Sequence, residues 1–174
     1  PDIDSYSLLK MFEKLEKLEN GDILILAGSI PQSLPSDIYE QILCRLSGRN
    51  IRAVVDAEKE LLLNVLKYKP FLIKPNDSEL GDLFGRRLDS EDEIAECAEK
   101  LQEMGALNVL VSMAGNGAFL LDENGMKHRI GVCSGTVRNS VGAGDSMLAG
   151  FIAGCLNGNY VHALKLGTAC GGAT

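Results

Sequence analysis

The chain has 174 residues, 45% hydrophobic and 24% charged, the profile of one soluble globular domain that can bury roughly 70% of its unfolded surface. Its formal net charge of −7 argues against a nucleic-acid surface, and no apolar run approaches the ~20 residues of a membrane span. Five scattered cysteines, odd in number and without a Cys-x-x-Cys pair, point to a reduced, cytoplasmic setting and away from a zinc site.

In chain order, residues 4–18 put Leu8, Met11, Phe12, Leu15 and Leu18 on one helical face, and Asn20-Gly21 ends that helix. Residues 22–27 form a continuous apolar run, expected of a strand buried on both faces of a parallel sheet. Gly28-Ser29-Ile30-Pro31 follows at its carboxyl end, the edge where open α/β sheets hold ligands. Ser29 there either bonds a substrate or shapes the turn. Ser36 is expected to cap a helix carrying Ile38, Ile42, Leu43 and Leu46, closed by Gly48. Residues 51–57 read as a strand with Asp56 at its end, and residues 58–68 as a short helix.

Phe71-Leu72-Ile73 is a short strand, stopped by Pro75. Asn76 and Glu79 have capping-box spacing, but they also lie at a strand's carboxyl end, where they can face phosphates or a hydrated metal ion. Lys74 is either a phosphate partner or a solvated strand-end charge. Ser90 to Glu93 is a cleaner capping box, opening a helix to Met104 that Gly105 ends. Residues 108–113 are a strand. The glycine loop Ser112-Met113-Ala114-Gly115-Asn116-Gly117-Ala118 leads into another strand rather than a helix, which excludes a Rossmann fingerprint. Such a loop is either a plain hairpin turn or backbone laid against a nucleotide. Asp122-Glu123-Asn124-Gly125 is a hairpin turn, after which residues 126–132 return antiparallel, with His128 as a surface strand residue.

Residues 138–151 carry the densest signal. Gly142, Ala143 and Gly144 have almost no side chain, so an anion can approach their backbone. The helix expected over residues 143–156 aims its unpaired N–H groups and positive dipole end at that spot. Asp145 in its first turn sets a proton acceptor beside an anion cradle, the pairing that phosphoryl transfer to a hydroxyl needs. A capping or dipole role alone would also place an Asp there. Neither a Walker A loop nor a nucleophile elbow occurs in the sequence. The alternation α-β-α-β-α-β-α-α-β, a β-hairpin near residues 117–132, then α-α, predicts a three-layer α/β/α fold with a mostly parallel central sheet in a single domain over residues 1–174. The chain opens at Pro1 without an initiator Met and stops at Thr174 inside a helix, so an excerpt of a larger enzyme is expected.

Asn139-Ser140-Val141-Gly142-Ala143-Gly144-Asp145 resembles the carboxyl-terminal signature of the ribokinase-like, PfkB-type carbohydrate kinases, and the resemblance runs the length of the chain. It implies a catalytic base at Asp145 and an anion hole from the backbone of Gly142, Ala143, Gly144 and Asp145. Lys74-Pro75-Asn76-x-x-Glu79 resembles the family's Asn-x-x-Glu motif, which implies that Glu79 acts on Mg²⁺ through water and that Lys74 and Asn76 lie near the phosphates. By the same resemblance Ser112, Ala114, Gly115, Gly117 and Ala118 line the ATP site, Gly171 belongs to the last helix where it meets the nucleotide, and Ser29 is on the substrate side. Arg138-Asn139-Ser140 resembles the branch acting on sugar phosphates, with Arg138 as a candidate for the sugar's phosphate. The implied reaction is ATP-dependent phosphorylation of fructose 1-phosphate to fructose 1,6-bisphosphate, with tagatose 6-phosphate as the alternative acceptor. The implied partners are ATP, Mg²⁺ and a small sugar phosphate, with a homodimer in the full-length protein and no nucleic acid or membrane. The family's glycine-rich sugar loop and small lid sheet have no counterpart in these residues, which leaves a non-catalytic ligand-binding protein of the same fold as a competing reading.

Overall fold

The computed structural model describes residues 3–133, 135, 141–156 and 159–174. The chain forms two compact units, one of residues 1–73 and 100–107, the other of residues 74–99 and 108–174.

In the first unit, α1 (Ser5–Leu15) starts at Asp4, whose carboxylate accepts the Ser7 N–H at 2.6 Å. It ends before Leu18 because Lys17 and Leu18 close tighter turns onto the carbonyls of Lys14 and Leu15. Then follow β1 (Ile23–Ala27), α2 (Ile38–Leu46), β2 (Arg52–Asp56), α3 (Lys59–Val65) with a 3-10 turn to Tyr68, and β3 (Leu72–Ile73). The three strands are parallel, with Ile25 opposite Val54 and Val55 opposite Ile73. Val54, Val55, Leu62, Val65, Leu72 and Ile73 are fully buried in the core. Two sequence expectations shift here. Asp37, not Ser36, occupies the N-cap of α2, because the Ile38 N–H turns back onto the Pro35 carbonyl and carries Ser36 into that turn. β1 is also not buried on both faces: Leu26 is buried, but Ile25 is 45% exposed and Ala27 is exposed, the period-two pattern of a strand covered on one side.

In the second unit, α4 (Asp77–Leu83) leads to α5 (Glu91–Glu103), whose residues 91–99 belong here. The strands β4 (Asn108–Ser112), β5 (Ala118–Leu121) and β6 (Lys127–Ile130) form an antiparallel meander. Helices α6 (Ala143–Cys155) and α7 (Tyr160–Ala173) close the unit. The element order is the alternation expected from the sequence. His128 departs from its expected surface role: its Nε2 lies 2.7 Å from Oδ2 of Asp122, which is buried at the β5–β6 turn. Asp122 Oδ1 accepts the N–H groups of Asn124 and Met126, so one carboxylate holds the whole turn.

Candidate active site

The start of α6 is built by a single conformational requirement. Gly142 sits at the N-cap with φ +83°, a left-handed backbone that side-chain-bearing residues rarely adopt. The first backbone bond of α6 runs from Ser146 N–H to the Gly142 carbonyl, so the N–H groups of Ala143, Gly144 and Asp145 have no partner within the helix. Among the described residues no side chain caps them. Asp145 is exposed in this first turn. The result is a bare, electropositive helix end with a carboxylate at its rim.

Lys74 stands against this end. It is 7% exposed, and a Cβ built on Gly144 would lie 3.3 Å from its Nζ. The ammonium and the positive end of the helix face the same spot, an arrangement that favours an anion there. The sequence left Lys74 open between a phosphate partner and a solvated charge; the side chain is buried rather than solvated.

Asn76 and Glu79 form the reciprocal capping box of α4. Asn76 Oδ1 accepts the Glu79 N–H at 2.8 Å, and Glu79 Oε2 accepts the Asn76 N–H at 2.8 Å. The box engages one oxygen of Glu79 and the oxygen of Asn76. The second Glu79 oxygen and the Asn76 amide nitrogen make no hydrogen bond among the described residues. Capping therefore occupies only one side-chain oxygen of each residue. Among the described residues no group of three His, Cys, Asp or Glu side chains forms a cation cage. The residues present fit a hydrated Mg²⁺, which keeps its waters and takes one or two carboxylates plus phosphate oxygens.

Asn76 also pairs with Ser112 through a parallel bridge, and the Ser112 N–H bonds the Pro75 carbonyl at 3.1 Å. This pairing sets the glycine loop beside the Lys74–Glu79 segment. Ala114, Gly115 and Asn116 form an exposed 3-10 turn, with Ala114 at φ +43°. Gly117 and Ala118 turn inward: a Cβ on Gly117 would lie 2.0 Å from the Ile130 carbonyl oxygen, and Ala118 is fully buried. These two shape the loop, and the exposed part that can meet a nucleotide is residues 114–116. Gly171 lies against α6, where a Cβ would come 2.9 Å from the Ala143 carbonyl oxygen. Ser29 is exposed after β1 in the first unit. Arg138, Asn139 and Ser140 lie outside the described residues.

The sequence reading passed over a cleft of about 630 Å³ along α4, lined among others by Asp77, Asp82, Arg86, Arg87 and Asn116. Gly81 makes it: the Arg86 N–H bonds the Gly81 carbonyl, and a Cβ at 81 would strike the Arg86 carbonyl at 2.4 Å. Arg86 donates to Cys97 Sγ and Glu96, which hold its guanidinium further in the charged form. The signal in the sequence was the Gly85-Arg86-Arg87 step between acidic residues.

The family model described as pfkB family carbohydrate kinase matches residues 1–174. A 1-phosphofructokinase of Bacillus subtilis is 45% identical over 175 residues, covering 100% of this chain and 57% of the relative. A D-tagatose-1-phosphate kinase of Bacillus licheniformis is 33% identical, covering 95% of this chain and 55% of the relative. Among solved structures, phosphofructokinase-2 from Escherichia coli in complex with fructose-6-phosphate matches with a TM-score of 0.90 at 26% identity, covering 99% of this chain and 57% of that one. The chain thus spans a little over half the length of the relatives it matches. The α/β class expected from the sequence holds. No described helix is long and apolar enough to cross a membrane.

Proposed function

Since the chain belongs to the pfkB family of carbohydrate kinases, we propose that the full-length protein transfers the γ-phosphoryl group of ATP to the 6-hydroxyl of a ketose 1-phosphate, with fructose 1-phosphate as the acceptor and fructose 1,6-bisphosphate as the product. The observation that carries this reading is the uncapped first turn of α6, with Asp145 exposed in it and the buried Lys74 ammonium against Gly144.

In this mechanism Asp145 accepts the proton of the attacking hydroxyl. The N–H groups of Ala143, Gly144 and Asp145 hold the charge that develops on the transferring group, and Gly142 and Gly144 keep the approach open. Lys74 adds a fixed positive charge at the same spot. Asn76 donates its amide to phosphate oxygens, and the second Glu79 oxygen would hold a hydrated Mg²⁺ through its water shell. Mg²⁺, when bound, neutralises charge across the nucleotide's phosphates. The exposed turn at residues 114–116 lies against the nucleotide, Gly171 backs the site, and Ser29 and Arg138 serve the sugar phosphate.

Fructose 1-phosphate ranks first because the relative at 45% identity is a 1-phosphofructokinase. A second reading, D-tagatose 1-phosphate, follows from the relative at 33%. Both sugars present the same phosphorylated C1 and free C6 hydroxyl. The test is ATP-dependent phosphorylation of a ketose-phosphate panel, tagatose 6-phosphate included, by the full-length protein and its Asp145→Asn variant. Loss of roughly 10³-fold in kcat with nucleotide binding retained is expected. Turnover near wild type in that variant overturns the mechanism.

A further inference from the structure

Helices α6 and α7 meet through glycines on both sides. A Cβ on Gly150 would lie 2.8 Å from Cys170 Sγ and 2.9 Å from the Leu166 carbonyl oxygen. On Gly154 it would lie 2.4 Å from Ala163 Cα, and on Gly167 2.8 Å from the Met147 carbonyl oxygen. On Gly171 it would lie 2.9 Å from the Ala143 carbonyl oxygen and 3.2 Å from Met147 Cβ. Real Cβ atoms do not come within 3.0 Å of such neighbours, so each glycine brings its own backbone directly against the facing helix, with backbone atoms of the neighbour among its nearest contacts. Contact this close has no slack: a methyl group inserted anywhere along it moves a helix rather than a rotamer.

Gly171 differs from the other three in what it touches. Ala143 is the first residue of α6 and supplies one of its three unpaired N–H groups. We propose that Gly171 is a positioning residue for the anion cradle: its missing side chain lets α7 fix the first turn of α6, and so the direction of the N–H groups of residues 143–145 and the place of Asp145. This rests on the kinase reading above and deepens it. An alanine at 171 presses on a backbone carbonyl, which cannot rotate away, so the displacement falls on the peptide units that must aim at the transferring group. A shift of about 1 Å in such a group costs on the order of 100-fold in rate.

The experiment compares Gly171→Ala with Gly150→Ala in the full-length protein. Both insert a methyl against a backbone carbonyl oxygen at 2.9 Å, but Gly150 lies two turns further along α6. Gly171→Ala is expected to lower kcat by 10- to 100-fold, at the order of magnitude set by misplacement, with the sugar-phosphate KM nearly unchanged. Gly150→Ala is expected to hold kcat within about threefold at a similar loss of melting temperature. Amide ¹H–¹⁵N shifts of residues 142–145 are expected to move in the first variant and stay in the second. If Gly171→Ala does not fold, the double variant Gly171→Ala, Met147→Gly removes the 3.2 Å contact and keeps the carbonyl one, and the same loss is expected of it. Unmoved shifts in the 171 variant, or an equal kcat loss in the 150 variant, overturn the proposal. Moved shifts in the 171 variant, where the wild-type protein phosphorylates no sugar phosphate, overturn the kinase reading and leave the positioning role standing.

Discussion

The ammonium of Lys74 and the α-carbon of Gly144 face each other so closely that a single added carbon on the glycine would stand 3.3 Å from Nζ. Two consequences follow from one contact. Gly144→Ala forces the lysine to give by a few tenths of an ångström, and a loss of about tenfold in kcat is expected from the displaced charge. Lys74→Met removes the charge, and roughly 10- to 100-fold weaker ATP binding is expected, with reduced sensitivity to salt. Steady-state turnover checks the first and titration calorimetry with a non-hydrolysable ATP analogue the second; unchanged affinity in Lys74→Met means the ammonium does not meet the phosphates.

Asn76 allows its two roles to be separated. Asn76→Ser keeps an N-cap oxygen for the Glu79 N–H, so melting temperature should change little, whereas Asn76→Ala should cost about 1 kcal/mol. Neither variant has an amide nitrogen for a phosphate. Both should therefore lose activity to a similar extent, on the order of tenfold for one hydrogen bond of this kind. Serine restoring stability and turnover together would reduce Asn76 to a cap.

Asp122 makes stability pH-dependent on the acid side. Burial pushes its pKa up, but bonds from His128, Met126 and Asn124 together outweigh burial and hold it below the usual carboxylate value of 3.8. A carboxyl whose pKa is lower in the folded state stabilises the fold above its unfolded pKa and loses that contribution as pH falls through the folded one. Urea unfolding of wild type should therefore weaken below about pH 4, and Asp122→Ala should flatten that part of the profile. At pH 7 the same variant should cost about 2 kcal/mol, because the N–H groups of the turn lose their acceptor.

Ala114 carries φ +43° without being glycine. Ala114→Gly removes a left-handed strain of about 1 kcal/mol, partly offset by the freer unfolded chain. A small gain in melting temperature is expected, together with a higher KM for ATP as the exposed turn loosens. A lower melting temperature would show that the alanine methyl is itself packed.

Much of this architecture is legible in the sequence because it depends on neighbours a few residues apart. Apolar spacing places every strand and helix in order, and the capping boxes at Asn76–Glu79 and Ser90–Glu93 form as read. Gly142-Ala143-Gly144-Asp145 announces a helix start, and α6 begins there. What was not legible depends on distant partners. Lys74 is buried because α6, some seventy residues later, packs beside it. Gly171 and Gly117 meet the Ala143 and Ile130 carbonyls, which no local pattern predicts. His128 finds Asp122 only once the strands pair. Ser36 loses the cap to Asp37 through a turn begun at Pro35.

The half-covered β1 bears on how this polypeptide behaves at the bench. Ile25 stands out from a strand that, among the described residues, has a paired neighbour on one flank, and no lysine or proline blunts the other. Concentrated on its own, the 174-residue chain should stick to itself there, scattering light and sedimenting faster as concentration rises. Ile25→Lys should keep it dispersed, and sedimentation velocity across a dilution series will register the difference.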